Sequence, residues 1–436
     1  MIRSRYLLLS DAFYRDRSGR VARLAYSARR ATLFAVDPGT ASALDDGDLT
    51  RVAPHQLATL AELEAVVPDG EDELREVLAS LRAGSDDAGV RVFTLMPTSW
   101  CNMACSYCGQ EHERTKARMD AVAARVEAAL ADPAVRRVHV NWFGGEPLLA
   151  LRTIRALSAR FVRAGKPYMA RMATNGSLLT PSTLRVLHDE CAVQALEVTI
   201  DGPPALHDLR RLKRNGRGSF ERIVGALQSI PDGMVVTIRI NVDHGNAPHV
   251  EELIGLLAAR GLARPGIELH PVPVHSWGND VSKVELGARE YASLEAQWLR
   301  YAGSLGFGFA TLPSRVKRTT CVATSVHSEV LDPQGRVYSC SEHPLVPGVR
   351  STGVVATVSS LVGATPRPRG AFDDWYEDVE AGAQRCGQCP LLPVCGGACP
   401  KLWREGHAPC PSYKFNLPDR FDLAAARLGW VRLPSG

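Results

Sequence analysis

Six apolar, β-branched runs recur at regular intervals between residues 90 and 274. They begin VRVFTL, VRRVHV, YMARMA, ALEVTI, MVVTIR and IELHPV, and helix-like stretches such as AVAARVEAALAD separate them. Each separating stretch is long enough for a right-handed crossover between parallel strands. The pattern therefore predicts an α/β fold: about six βα repeats that form a parallel sheet or a partial, TIM-like (β/α)6 barrel over residues 90–309.

The chain on either side of these repeats has a different pattern. In residues 1–88, RYLLLS, VARLAYS and ATLFAVD predict three short strands, and helical segments follow around 54–65 and 71–83. The polar stretch GSDDAG then predicts a linker, so this unit is expected to be a small α+β, winged-helix-like domain. Residues 310–436 lose the periodicity and become rich in Cys, Gly and Pro. We expect metal ligation to organise this third domain.

Composition excludes several functional classes. The 436 residues carry a net charge of +4 with no concentrated basic face, which argues against nucleic-acid binding. No apolar stretch reaches 18 residues and the N-terminus has no secretory pattern, so we predict a cytoplasmic protein without a membrane partner. Ten of the eleven cysteines form three groups, at 101–108, 321–340 and 386–410, and only Cys191 stands alone. Such clusters indicate metal or redox sites rather than disulfides, and Cys191 is expected to be a buried core thiol.

The first cysteine group follows the first predicted strand. Cys101, Cys105 and Cys108 lie within CNMACSYC, and His112 follows four residues later. One interpretation is a structural Cys3His zinc site. The other is a four-iron cluster held by three thiolates, whose fourth iron is open to a small molecule.

Glycine-rich and polar segments follow the next strands and favour the open cluster. FGGEP offers two glycines that allow close backbone approach and a carboxylate, Glu146, that can pair with an ammonium group. TNG at 174–176 and Asp201-Gly202 follow the third and fourth strands. Each could be an ordinary turn. Because they follow successive strands in order, they are expected to meet at one edge of the sheet.

These residues together resemble the radical S-adenosylmethionine (radical SAM) superfamily. The resemblance rests on the C-x3-C-x2-C spacing, the aromatic residue before the third cysteine and the GGEP segment. It implies that the open iron of a [4Fe–4S] cluster chelates S-adenosylmethionine (SAM). The residues that it implies for SAM are Gly144, Gly145 and Glu146 at the methionine amino group, Asn175 and Thr199 near the ribose, Tyr107 near the adenine, and Arg211 at the methionine carboxylate. Relatives often have Ser where this chain has Thr199, which keeps the hydroxyl. The resemblance also implies the reaction, in which SAM yields a 5′-deoxyadenosyl radical that abstracts a hydrogen atom.

The second and third cysteine groups fit a zinc ribbon when taken alone, but seven cysteines exceed one tetrahedral site. Their pattern, C…G-x4-C…C-x2-C-x5-C-x3-C…C over about 321–416, resembles the SPASM domain of peptide-modifying radical SAM enzymes. The resemblance implies two auxiliary [4Fe–4S] clusters, and so three clusters in all. Auxiliary cluster I would be held by Cys321, Cys340 and Cys399, and auxiliary cluster II by Cys386, Cys389, Cys395 and Cys410. Cluster I then lacks a fourth cysteine, and its fourth ligand stays open.

The sequence thus predicts a radical SAM/SPASM maturase that oxidatively modifies a ribosomally made precursor peptide, through an intramolecular thioether or C–C cross-link. Residues 1–88 resemble the front segment of many such enzymes, which binds a leader peptide by strand addition; a structural cap is the alternative. An electron donor such as flavodoxin or ferredoxin is the second expected partner. The alternative reaction is formylglycine formation, as in anaerobic sulfatase maturases. The non-enzyme alternative is a zinc-stabilised scaffold protein.

Overall fold

The N-terminal unit is an antiparallel sheet followed by helices. The structure is a computed structural model that describes residues 1–115 and 117–434. The strands of this unit are β1 (Ile2–Arg3), β2 (Leu7–Arg15), β3 (Val21–Ser27), β4 (Thr32–Val36) and β5 (Val66–Val67), and its helices are α1 (Pro38–Asp46), α2 (Pro54–Glu62) and α3 (Glu73–Ser85). The three predicted strands and both predicted helices are present. Helix α1 was not predicted; Asp37 caps its N-terminus by accepting hydrogen bonds from two backbone amides, and Gly47 ends it with φ +74°.

The central unit alternates strands and helices as the hydrophobic pattern predicts. Its strands are β6 (Val90–Leu95), β7 (Met103–Cys105), β8 (Arg137–Trp142), β9 (Tyr168–Thr174), β10 (Val193–Thr199), β11 (Arg211–Lys213), β12 (Val235–Val242) and β13 (Ile267–Pro273). Its helices are α4 (Met119–Ala131), α5 (Leu151–Arg163), α6 (Pro181–Arg185), α7 (Pro204–Arg210), α8 (Phe220–Leu227), α9 (Val250–Ala259) and α10 (Ala288–Ser304). A π-helical turn continues α6 through Val186–Glu190, and the fully buried Cys191 follows it.

Six of these strands form the parallel sheet of a partial barrel. Strands β6, β8, β9, β10, β12 and β13 are neighbours in chain order, and every pairing between them is parallel. Alternate residues of β8 and β12 are fully buried. Helices pack on the sheet through one continuous hydrophobic core that includes Phe93, Trp142 and Phe161. The carboxyl ends of all six strands therefore lie at one edge of the sheet.

The C-terminal unit is organised around short elements. Its strands are β14 (Ser328–Leu331), β15 (Arg336–Tyr338), β16 (Val354–Thr357) and β17 (Val431–Arg432), and its helices are α11 (Pro347–Arg350), α12 (Trp375–Glu380), α13 (Leu392–Cys395), α14 (Pro400–Arg404) and α15 (Leu417–Arg427). Strand β14 pairs in parallel with β6, and β15 and β16 extend the sheet antiparallel beyond it. The described residues thus form one nine-stranded sheet that continues past the barrel.

The N-terminal and C-terminal units also share a hydrophobic core. Tyr26 and Leu78 of the first unit are buried in the same cluster as Trp375 and Phe421 of the last unit. In addition, β17 pairs antiparallel with β2. The N-terminal unit is therefore packed on the cysteine-rich unit and is not an independent domain on a linker. None of the helices in the described ranges has the length and apolar character needed to cross a membrane.

Candidate active site

The loops at the carboxyl edge of the barrel sheet surround a cavity of about 480 Å³. The residues that line it include the three cysteines of the first group and parts of the segments after β8, β9 and β10. The convergence of strand ends expected from the sequence is therefore present. Of the seven residues expected at SAM, all except Glu146 line this cavity, namely Tyr107, Gly144, Gly145, Asn175, Thr199 and Arg211.

The cysteine loop is held in place by a two-stranded pairing that the sequence did not reveal. Strand β7 pairs antiparallel with β11, so that Cys105 lies opposite Arg211. The side chain of Arg214, just after β11, donates a hydrogen bond to the carbonyl oxygen of Cys101 at 3.1 Å. The segment after β10 thus fixes the loop that carries the thiols.

The two glycines of FGGEP are required because the cysteine loop packs directly on them. A Cβ atom at Gly145 would lie 2.3 Å from the carbonyl oxygen of Trp100, and one at Gly144 would lie 2.6 Å from that of Thr98. Gly144 also has φ +128°, which side chains rarely adopt. Any other residue at these positions would push the cysteine loop away from the sheet.

Glu146 braces the site from behind and does not face the cavity. Its side chain is fully buried. Its carboxylate accepts hydrogen bonds from the backbone N–H of Leu148 at 2.9 Å, the Thr174 hydroxyl at 2.7 Å and the backbone N–H of Asn175 at 2.7 Å. The carboxylate therefore ties the loop after β8 to the end of β9. The expectation that it pairs with an ammonium group of a ligand does not fit this arrangement; the residue contributes by fixing its neighbours.

A buried polar network lies beside the cysteines. Tyr107 donates from its hydroxyl to the Asp201 carboxylate at 2.5 Å and accepts a hydrogen bond from the Arg211 guanidinium. Asn241 also donates to the Tyr107 hydroxyl, at 3.0 Å. Burial alone would lower the pKa of Arg211, but the neighbouring Cys105, Tyr107 and Asp201 outweigh this effect and raise the pKa. Arg211 thus keeps its positive charge at the cavity wall.

The two remaining residues predicted to lie near the SAM ribose, Asn175 and Thr199, differ in how firmly the rest of the chain holds their side chains. The Asn175 amide donates to Asn102 at 2.9 Å and its oxygen accepts from the Ser177 backbone N–H at 2.9 Å. The Asn175 side chain is therefore held against the cysteine loop. Thr199 ends β10 and lines the cavity with its half-buried side chain.

Several residues that line the cavity were missed by sequence analysis. Arg239 and Asn241 lie on β12, and Glu197 lies on β10. Arg239 donates to the Asn241 side chain at 2.8 Å and lies 3.6 Å from the Glu197 carboxylate. The sequence signal that could have found them is the alternation of polar and apolar residues along β10 and β12. These polar residues occupy the inward positions of strands whose other face packs in the core.

The residues at the cavity fit a cluster-bound SAM. The three thiols are free, which is the donor set that an open four-iron cluster requires. Burial raises the pKa of the Cys101 thiol to about 11, so iron binding there must displace a proton. Arg211 lines the cavity, and its buried Nε has no hydrogen-bond partner among the described residues. A carboxylate ligand would satisfy it.

The fold brings the cysteines of the second and third groups together in two sets, one of which combines the second group with Cys399 of the third. In the first set, burial is the main cause of the raised pKa of the Cys340 thiol. The thiols of Cys321 and Cys399 raise this pKa further. Cys386, Cys389, Cys395 and Cys410 line one small pocket. Lys414 donates to the Cys410 sulfur there at 3.3 Å, a contact that sequence analysis did not anticipate. The two sets are the ones that the interleaved pairing implied.

The alternative of a single zinc ion gains no support from the geometry. Among residues 1–115 and 117–434, no three His, Cys, Asp or Glu side chains converge as one metal ion would require. His112 lies with its Nε2 3.9 Å from the Cys108 sulfur, and its Nδ1 lies 3.2 Å from the carbonyl oxygen of Ser99.

Taken together, the fold and site define an iron–sulfur enzyme with a half-open α/β barrel and a small-molecule cavity at its cysteine triplet. The comparisons with known proteins agree. The family described as the radical SAM superfamily matches residues 95–257. An uncharacterized protein of Synechocystis sp. is 22% identical over 72% of this chain and 84% of its own length. A serine-type anaerobic sulfatase-maturating enzyme of Bacteroides thetaiotaomicron is 21% identical over 69% of this chain and 80% of its own length.

The solved structures give the same fold. Native anSMEcpe with bound AdoMet and the Cp18Cys peptide covers 78% of this chain and 98% of its own, with 17% identity and a TM-score of 0.57. Residues 95–257 therefore form a radical SAM domain, the chain is an enzyme of SAM-dependent radical chemistry, and its fold is similar to that of anSMEcpe. A radical SAM domain uses a [4Fe–4S] cluster and SAM. This result overturns the non-enzyme alternative of a zinc-stabilised scaffold.

Proposed function

We propose that this enzyme is a radical SAM/SPASM maturase that oxidatively cross-links a ribosomally synthesised precursor peptide. Three [4Fe–4S] clusters serve the reaction: one at Cys101, Cys105 and Cys108, and the two auxiliary clusters at the sets described above. When bound, the SAM cluster and SAM supply a 5′-deoxyadenosyl radical that removes a hydrogen atom, and the auxiliary clusters supply an acceptor for the second electron. A thioether then forms from a C–H and an S–H with net loss of two hydrogens.

The observation that carries the proposal is a second, larger cavity that adjoins the first. It has a volume of about 860 Å³ and lies beside β13, the last strand of the parallel sheet, between helix α10 and the tail around residues 407–413. Arg239 lines both cavities. Cys410 of the third cysteine group lines the larger one. A space of this size, open to solvent, can hold a segment of a peptide, and Arg239 and Cys410 connect it to the SAM cavity and to a cluster site.

Charged and polar side chains would orient such a peptide. Glu295 and Arg420 line the larger cavity and are paired with each other, and Tyr291 donates from its hydroxyl to the carbonyl oxygen of Pro271 at 2.7 Å. These groups are fixed before a substrate arrives, so little conformational entropy is lost on binding. Their positions on α10, α15 and β13 place them on rigid elements rather than on loops.

The N-terminal unit offers a docking edge for the leader of the precursor. Within the described residues, β4 is the outer strand of its sheet, in the order β17-β2-β3-β4. Its residues 32–35 are only partly covered, and an extended peptide can add there as a further strand. The shared core with the C-terminal unit means that deletion of residues 1–88 would expose buried surface. Deletion is therefore a poor test of leader binding.

Hydrogen–deuterium exchange tests leader binding without deletion. The leader half of the precursor should slow exchange at the amides of Thr32–Val36. The opposite edge, β17, is the internal control and should not change. Protection at β17 instead of β4 would contradict docking at β4, and protection at neither edge would leave only the structural-cap interpretation of residues 1–88.

Co-expression with a short peptide encoded beside this chain tests the reaction. Mass spectrometry should show a loss of two hydrogens for each cross-link, and fragmentation should show the two joined residues. The precursor, the electron donor (flavodoxin or ferredoxin) and the cross-link type belong to this proposal together.

Formylglycine formation is the second candidate, because both the Bacteroides relative and the anSMEcpe fold point to sulfatase maturation. Oxidation of a serine to formylglycine also removes two hydrogens, so mass alone does not separate the two reactions. An aldehyde is captured by hydroxylamine, whereas a thioether or C–C cross-link is not. Hydroxylamine capture of the product would support formylglycine and contradict the cross-link.

A further inference from the structure

The set of Cys321, Cys340 and Cys399 provides three thiolates, and a four-iron cluster there needs one more ligand or stays open. The structure places a carboxylate beside this set. Glu342 lies two residues after Cys340, and its carboxylate lies 3.2 Å from the ammonium group of Lys401, which is two residues after Cys399. The carboxylate is therefore held between the segments that carry two members of the set.

Two side chains from different parts of the fold, those of Lys401 and His275, lie against the Glu342 carboxylate. Lys401 Nζ lies 3.2 Å from Glu342 Oε2, and His275 Nε2 lies 3.5 Å from Glu342 Oε1. Lys401 is in the first turn of α14, the helix that Cys399 precedes as its N-cap. The helix that follows one thiol therefore draws the carboxylate toward that thiol. His275 belongs to the loop after β13 and lines the larger cavity.

The carboxylate also has an unused acceptor. The Glu342 side chain is only 14% exposed, and its Oε2 atom is buried. Oε2 has no hydrogen bond of good geometry within the described residues, although Lys401 is near. A buried, unsatisfied carboxylate oxygen is costly unless something fills its coordination. An iron atom would do so.

The neighbouring histidine is a weaker candidate. His343 Nδ1 is also buried without a partner, but its ring packs against Phe372, with 5.8 Å between ring centroids, and against Gly353. It lines a pocket on the side of Val349 and Thr352.

We propose that the Glu342 carboxylate is the fourth ligand of auxiliary cluster I, so that this cluster is held by Cys321, Cys340, Cys399 and an oxygen. The inference rests on the proposed function only in taking the three cysteines as a cluster site. Carboxylate oxygen binds iron more weakly than thiolate does, so the unique iron is closed in the resting enzyme yet exchangeable. His275 and Lys401 are positioning residues that hold the carboxylate.

Iron retention tests the proposal without a peptide substrate. The full chain with Cys101, Cys105 and Cys108 all changed to Ala holds only auxiliary iron, about eight atoms per chain. After mild ferricyanide oxidation, this parent should keep its iron and give little three-iron EPR signal. Glu342→Ala in the same background should lose about one iron per chain and give a three-iron signal equal to about one cluster. Glu342→Gln keeps the size of the side chain and should behave like Glu342→Ala.

Two further variants serve as controls. Glu342→Cys should restore the iron count and suppress the three-iron signal, because a thiolate replaces the oxygen. Glu405→Gln removes the other carboxylate that binds Lys401, at 2.8 Å, and should match the parent. If the Glu342 variants match the parent in iron content and EPR, Glu342 is not a ligand although the clusters exist. If the parent holds only about four irons, auxiliary cluster I itself is absent, and that part of the proposed function fails as well.

Discussion

Glu329→Gln provides a sharp test of how the cysteine-rich unit is joined to the barrel. Glu329 lies on β14 and is fully buried between Arg91 of β6 and Arg125 of α4, each only 2% exposed. One carboxylate oxygen accepts from Arg91 at 2.5 Å and from Arg125 at 2.6 Å, and the other accepts from Arg125 at 3.0 Å. The two guanidinium groups share this one carboxylate.

The magnitude follows from the charges that remain. A glutamine is neutral, so the substitution leaves two buried guanidinium charges without their counter-charge and turns an amide N–H toward a donor. Breaking a buried ion pair in this way costs about 3–5 kcal/mol. The backbone carbonyls of Gly363 and Thr365, which also accept from Arg125, limit the loss but carry no net charge.

Urea unfolding of the reconstituted, anaerobic protein measures the effect, with tryptophan fluorescence as the signal, because Trp142 and Trp375 are both fully buried. Glu190→Gln is the matched control, since the Arg155–Glu190 pair has a similar 2.6 Å contact but is about half exposed. The control should lose less than about 1 kcal/mol. Equal losses in the two variants would refute the role assigned to the buried triad.

Three further predictions concern individual side chains. Arg211→Gln removes the cation at the SAM cavity and should weaken SAM binding about 10- to 100-fold, as measured by calorimetry; unchanged affinity would contradict its role. His112→Ala should leave the iron content of the reconstituted enzyme unchanged, whereas a drop would support a Cys3His site. Burial raises the pKa of Cys191 to about 11, so at pH 8 only about a thousandth of this thiol is ionised. Mass spectrometry should therefore find Cys191 unalkylated by iodoacetamide until the chain is unfolded, and the rate should rise with pH; rapid labelling in the native state would contradict its burial.

Much of the fold could be predicted because its signals are local in sequence. The six β-branched runs became the six parallel strands in the expected order, since each is a buried strand with its own crossover. The run that begins IELHPV was expected to be a strand, and Ile267–Pro273 is indeed β13. Cys191 is a core thiol, as its isolation from the other cysteines indicated.

The parts that could not be predicted depend on contacts between distant segments. The sequences of β7 (MAC) and β11 (RLK) do not predict that these strands pair, because three residues are too few to show a periodic pattern. The shared core of the first and last units joins residues more than 300 positions apart, as the pairing of β17 with β2 illustrates. The domain boundaries at residues 88 and 309 remain predictions. Strand β14 lies beyond the second boundary but pairs with β6 of the barrel sheet.

The residues of the candidate active site also divide into those that could be predicted from the sequence and those that could not. The cysteines and glycines were recognisable because their chemistry or backbone freedom is rare. Glu146 was assigned to a ligand because a carboxylate after two glycines suggests binding, but three donors from the chain itself surround it. Asn241 and Arg239 look like ordinary strand residues, and only the sheet order brings them to the cavity.

SAM cleavage tests the central claim most directly. The enzyme should be reconstituted with iron and sulfide without oxygen, reduced with dithionite and mixed with SAM, and the products separated by chromatography. The account predicts 5′-deoxyadenosine and methionine in equal amounts, and none of either from the Cys105→Ala variant. A fully iron-loaded wild-type enzyme that leaves SAM intact would contradict it.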